Sequence, residues 1–458
     1  MKAWEQDREI RLNAVPKPFE EKPSDWSFVD GILKARRNMM AKFWKSEVPG
    51  SNAPEIPFME MIQAWYNRGY DVTEAEQWLS VGRDARKQND HGTMEVLGAR
   101  IQQALANAPK DEGSVYWQYQ APETFEAIRA ACPAVDKLDG DKAGHCLSEK
   151  VYGGWLGQIA GGAYGTALEG FSGEQLNAFY GDRLNGYVRE PETMNDDVTY
   201  ELCVLEAARK NADFSSQDIA EEWLRYIPYG WSAEHFALEN LHRGIMPPQS
   251  GQYLNFYSEW IGAQMRTMVH GMLAPGKPWR AAELAYRDSV ISHEKNGVYG
   301  GIHAAVLTSL AFTMDDARAI VRASRGYIPD NTLFAHLFDR TVALAEQYGD
   351  HREVWQSMKQ HELRTYNWIH TFPNMVAVVL SLWFCDNNFT RAMRVLGDCG
   401  EDVDCNAGEV GTVLGVMNPA CVTPEWAEPL ADQLETYVPG YEKVRISELA
   451  CQTVALIF

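Results

Sequence analysis

The chain has 458 residues, with 63 Asp and Glu against 42 Lys and Arg and a formal net charge of -21. That balance excludes a nucleic-acid partner, because a phosphate backbone is held by clustered basic side chains. There is no stretch of about twenty uninterrupted apolar residues and no basic-then-apolar leader pattern, so we expect a cytoplasmic protein with no membrane partner.

The eight cysteines form no C-x-x-C pair and mostly stand in apolar helix-like company such as ELCVLEAA and SLWFCD. They suit reduced, mostly buried thiols better than a disulfide framework or a zinc site. Fifteen Trp and twenty Tyr suit core packing, with stacking faces around a sugar or base as the sharper reading.

In chain order, GILKARRNMMAKFW, EMIQAWYNRGY, TEAEQWLSVGRDARKQ and TMEVLGARIQQALANA place apolar residues three or four apart, while alternating strand-like runs are scarce. The expected fold class is all-α. Residues 1–148 read as an N-terminal helical extension with no chemistry of its own, its His91 and His145 being solvated loop histidines. Pro, Gly and charge cluster in APKDEGSVYWQYQAPE and DKLDGDKAGH, which puts a boundary near residue 148 and leaves 149–458 as the chemical domain.

That domain opens with GGWLGQIAGGAYGTALEG, where Gly154, Gly157, Gly161 and Gly165 share one helical face. Each glycine weakens a helix by about 1 kcal/mol relative to alanine, which points to a close backbone approach. Neither phosphate-loop pattern is present. Glu169 leaves this helix as an acid that faces a cavity or its rim.

In MNDDVTY, Asn195 is a good N-cap and Asp196 and Asp197 fall in the first helical turn, where free N–H groups favour negative charge. A plain capped helix explains this stretch as well as a metal site does. TRAMRVLGD continues the helical pattern, and GEDVDCNAGEVGTVLG then repeats the arrangement, with Asp402 and Asp404 at a second helix entrance followed by glycines at 408, 411 and 415. Four carboxylates converging from two helix mouths need a counter-charge. An all-oxygen set of this kind suits Mg²⁺ or Mn²⁺, and two ions balance it better than one.

These stretches, in this order, resemble the ADP-ribosylglycohydrolase family over about residues 149–430. GGWLGQIAGGAYGTALEG looks like its G-x-x-x-G-D-A-x-G-x-x-x-E helix, MNDDVT like its T-D-D-T turn, and GEDVDCNAGEVGTVLG like its last acidic helix. IGAQMRTMVHG matches its M-R segment, SVISHEK its S/T-H segment, and RTYNWIHTFPN the H-T-x-x-N stretch of a branch that has D-x-D-C-N. The resemblance implies an orthogonal helical bundle, with the N-terminal helical region added. It also implies two divalent cations, Mg²⁺ or Mn²⁺, and a small-molecule or ADP-ribosylated substrate, and says nothing of oligomeric state.

Carried over position by position, the implied metal ligands are Asn195, Asp196, Asp197, Asp402, Asp404 and Cys405, with Asp404 bridging. Asn195 replaces a common Thr and serves as an amide-oxygen donor or as a cap alone. Cys405 replaces a second hydroxyl. Because sulfur suits hard ions poorly, it is expected to pack beside the cations without coordinating them.

Two departures bear on substrate: Gly162 stands where the family has an acid, and the Gly-Asn preceding the M-R segment is missing around Gly262. The ions would grip vicinal hydroxyls of a ribose-like ring beside an activated water, with Asp402 or Asp197 orienting that water and Glu169 acting as acid or gate. Gly262, Arg266, His293 and His370 are candidate substrate contacts. A salt bridge for Arg266 and buried, hydrogen-bonded roles for the two histidines explain those three equally well.

The expected activity is that of a glycosidase acting at the anomeric carbon of an ADP-ribosyl or related ribosyl substrate. The alternatives are a different N- or O-glycoside, nucleoside-like or a sugar compound, a non-catalytic binding descendant and, more weakly, a phosphohydrolase.

Overall fold

The apolar spacing emerges as helices Phe28–Trp44, Pro57–Asn67, Thr73–Glu76, Leu79–Lys87 and His91–Ala106 before the glycine-rich run. The structure is a computed structural model and describes residues 1–16, 26–133, 135 and 146–457. It is all-α, 66% helical with 4% strand; the strands named among the described residues make three two-stranded ribbons. His145 lies outside the described residues. His91 is not in a loop: Asp90 accepts from the Thr93 N–H and caps a helix whose first residue is His91.

The glycine-rich segment is the helix Leu147–Gly165, which runs antiparallel to Val403–Met417 with almost no space between the backbones. A methyl group at Gly157 would lie 2.1 Å from the Gly411 carbonyl oxygen, and one at Gly161 would lie 2.0 Å from that of Ala407. The contact row is Gly153, Gly157, Gly161 and Gly165, an i, i+4 ridge; Gly154 sits beside it, against Val416 and Met272. The pairing carries the C-terminal end of the first helix to the N-terminal end of the second, where Gly165 meets the Asp404 backbone. A short antiparallel ribbon pairing Phe171 with Glu401 pins the same corner, and Gly170 N–H donates to Glu401 O at 2.9 Å.

One large apolar core runs through the chain from Tyr116 to Ala450. A second cluster joins Trp44, Phe58, Met61 and Leu97 to Phe256, Tyr257 and Trp260, so the N-terminal helices are seated on the later part of the chain. Buried Arg68 strengthens that seat, bonding Glu294 at 2.5 Å and Ser258 at 2.9 Å. The eight cysteines are free, four of them buried. No helix among the described residues is long and apolar enough to cross a membrane.

Candidate metal centre

Asn195 caps the helix Asp196–Lys210 by accepting from the Asp197 N–H at 2.7 Å, which puts Asp196 and Asp197 in its first turn. Asp402 occupies the N-cap position of Val403–Met417 without making a capping bond, so its carboxylate is left free of the backbone. The two helix mouths meet: Asn195 Nδ2 donates to Asp404 Oδ2 at 3.0 Å, and the Cys405 thiol donates to Asp197 Oδ1 at 3.5 Å. Ligand atoms of Asp402, Asp404 and Cys405 all lie within 4.8 Å of one another.

Electrostatically this cluster is unfinished. Burial raises the carboxyl of Asp196 to about 7, helped by the charge of Asp404. Burial and then Asp404 push Asp197 and Asp402 well up, and burial raises Asp404 itself. Glu169 joins the group, raised well above the usual range by burial and then by Asp404 and Asp402. Asp402 Oδ1 and Asp404 Oδ1 are buried without a hydrogen-bond partner. Orphan carboxylate oxygens are costly to bury, and a divalent cation is the counter-charge that this oxygen-rich set fits. The Cys405 thiol is held protonated by burial and then by the charge of Asp197, and its proton is engaged by that same carboxylate.

Four of these carboxylates, Glu169, Asp196, Asp402 and Asp404, line a cavity of about 420 Å³, a size suited to a small molecule. Glu169, Asn195, Asp196, Asp402, Asp404, Cys405 and Gly262 line it; Asp197, which reaches the cluster through its contact with Cys405, and Arg266, His293 and His370 do not. Arg266 is fully buried and donates to Asp288 at 3.0 Å, to Glu234 at 2.6 Å and to the Gly262 carbonyl at 2.6 Å. Its guanidinium also lies over Trp223 and Tyr200. His293 bonds Ser292 at 2.7 Å and is kept neutral by burial and then by the Arg266 charge. His370 accepts from the Phe372 N–H to cap the helix Thr371–Phe384, its pKa pushed down to about 3 by burial and then by Arg68. For these three the structure realises the salt-bridge and buried-histidine alternatives.

The sequence reading missed Glu234. It braces Arg266 and packs against Gly262, where an added methyl would fall 2.0 Å from its Oε1. It also missed the outer wall of the cavity, which Met39, Lys42, Phe43, Ser46, Glu55 and Glu60 build. The first 147 residues therefore do contribute to the site. The surplus of aromatic residues was the available signal, because Phe43, Tyr229, Trp231, Tyr257, Trp260 and Trp368 all face this space.

A model of the ADP-ribosylglycohydrolase family matches residues 144–454. The chain belongs to this family. A solved ADP-ribosylglycohydrolase-related protein complex is similar at 19% identity and a TM-score of 0.49, over 68% of this chain and 98% of its own. No curated protein matches the sequence. Ahead of the matched residues, the N-terminal region of this chain contributes Met39, Lys42, Phe43, Glu55 and Glu60 to the cavity lining.

Proposed function

We propose that the protein is a metal-dependent glycosidase that cleaves the bond at the anomeric carbon of an ADP-ribosyl or related ribosyl substrate. The observation that carries this reading is the meeting of two helix mouths with partnerless carboxylate oxygens at the floor of a small-molecule cavity. Asp196, Asp197, Asp402 and Asp404 would hold Mg²⁺ or Mn²⁺, with Asn195 at the edge of the set and Cys405 as a neutral neighbour. When bound, the cations supply Lewis acidity toward sugar hydroxyls and the attacking water.

The remaining work falls to side chains. Asp402 or Asp197 orients a water and accepts its proton as the water oxygen bonds to the anomeric carbon and the bond to the leaving group breaks with its electron pair. Glu169, which lines the cavity with these carboxylates, serves as the acid that donates a proton to the leaving group. The nearby carboxylates favour the positive charge that develops on the ring. Eight unpaired thiols support a cytoplasmic setting.

The test is an assay of purified protein with Mg²⁺ or Mn²⁺ against ADP-ribosyl-arginine, ADP-ribosyl-serine and a panel of ribosides. Hydrolysis that needs the cation and disappears in Asp402→Asn and Asp404→Asn supports the reading. Hydrolysis surviving both substitutions sinks it.

A further inference from the structure

The charge of the cavity wall carries a statement about substrate, resting on the hydrolase reading above. Asp196, Asp402 and Asp404 have cations as their assigned partners, and Glu234 is spoken for by Arg266. Glu55, Glu60, Glu169 and Glu192 also line the cavity, Glu169 as the assigned proton donor and Glu192 as the partner of Arg189, against a single lysine, Lys42, and no arginine among the described lining residues. The Lys42 charge already acts on Glu55. His235 also lines the space but is held toward neutrality by burial. Arg189 stands near the rim, where it donates to the Gly50 carbonyl at 3.0 Å and pairs with Glu192 at 3.7 Å.

A diphosphate needs bidentate arginines or open helix N-termini. Two further helices begin at the cavity, Pro57–Asn67 and Ser232–His242, and each carries its own acid in the first turn, Glu60 and Glu234. Glu60 has no spare positive partner, and its carboxyl is raised to about 8 by burial and then by the charge of Glu55. The remaining surface is aromatic. Partly exposed Tyr229 and Trp231 meet edge to face at 5.0 Å, Phe43 and Trp368 line the same space, and the buried rings of Tyr257 and Trp260 are tilted to one another at 4.5 Å. Faces of this kind take up flat rings.

We propose that the cavity accepts a phosphate-free glycoside, a ribosyl-type sugar carrying a flat-ring leaving group. In this arrangement the N-terminal region, through Phe43, Glu55 and Glu60, forms the wall that receives the ring and turns away nucleoside diphosphates. The sugar hydroxyls face the acidic floor and the ring lies against the aromatic wall. Glu55 and Glu60 are specificity-determining residues, and neither takes part in bond cleavage.

The test uses the full chain with Mn²⁺, with inosine, nicotinamide riboside, their 5′-phosphates and ADP-ribosyl-arginine as substrates, and inosine and ADP-ribose as calorimetric ligands. Expected are cleavage of at least one riboside and a kcat/KM for its 5′-phosphate lower by ~10-fold or more, since a phosphate taken into a wall with one lysine and no arginine among the described lining residues loses water without gaining charged partners. The Glu55→Lys variant should narrow that gap, and ADP-ribose should bind more weakly than inosine. If ADP-ribosyl-arginine is cleaved better than the ribosides, or ADP-ribose binds more tightly than inosine, the substrate class is wrong while the hydrolase reading stands. A gap unmoved by Glu55→Lys removes the N-terminal wall from the explanation. Absence of any Mn²⁺-dependent cleavage removes the hydrolase reading and this inference with it.

Discussion

Asn195 and Asp404 are 209 residues apart in the chain and joined by a 3.0 Å hydrogen bond between the two helix mouths. The same amide accepts from the Asp197 N–H with its oxygen, so one side chain caps one helix and orients the carboxylate of the other. Asn195→Ala should therefore act twice. Loss of the cap lowers stability by about 1 kcal/mol, and release of Asp404 weakens cation binding. Urea denaturation reads the first effect, and a Mn²⁺ titration of melting temperature reads the second. Asn195→Ser, which keeps a cap, should recover most of the stability but not the hold on Asp404.

Cation binding itself is testable without turnover. A ligand present at 100 times its Kd stabilises a folded protein by about 2.7 kcal/mol. Mn²⁺ should raise the melting temperature of the chelator-treated protein, and Asp404→Asn should abolish that rise. A metal response retained in Asp404→Asn would contradict the assignment of the site.

Cys405 separates coordination from neighbourhood. Its thiol donates to Asp197 at 3.5 Å and is held protonated, so Cys405→Ala should lose roughly 1 kcal/mol for the unmet acceptor while Mn²⁺ affinity changes little. Cys405→Ser, which keeps a donor, should be the milder substitution by denaturation. A large loss of Mn²⁺ affinity in both variants would make sulfur a ligand.

Arg266 lies between two buried acids. With Arg266→Met, Glu234 and Asp288 lose their shared cation, and stranding such charges destabilises by about 3–5 kcal/mol. The expected result is a much lower denaturation midpoint, with KM altered only as far as folding fails. A well-folded Arg266→Met protein defective solely in KM would instead place the guanidinium on the substrate.

Glu409 is buried behind the cavity, accepting from Gln264 at 2.7 Å, and burial raises its carboxyl from 4.5 to about 8. In the unfolded chain it ionises at the lower value. Its contribution to stability is therefore complete below pH 4.5 and is lost as pH climbs toward 8. Glu409→Gln removes the titration and preserves the contact. Stability of the variant measured by denaturant at pH 5, 6.5 and 8 should fall less steeply than that of the parent protein.

The features legible in the sequence are those whose physics is local. Helical periodicity, the Asn195 cap, first-turn acids at two helix mouths and the glycine spacing each depend on residues a few positions apart, so the all-α fold and the acidic pair of motifs could be read directly. Even the glycine face was nearly right, needing only Gly153 in place of Gly154 once the partner helix was known. Arg266, His293 and His370 were harder. Whether an arginine meets a ligand or a buried acid depends on Glu234 and Asp288, whose approach no local pattern announces. The role of the first 147 residues was hidden for the same reason, since Phe43, Glu55 and Glu60 become a cavity wall only when their segments settle on Phe256, Tyr257 and Trp260. The sequence by itself determined the helices and the charges at their mouths, through short-range backbone geometry. Only the tertiary structure decided which charges share a partner and which surfaces enclose the site, because those follow from burial between segments far apart in the chain.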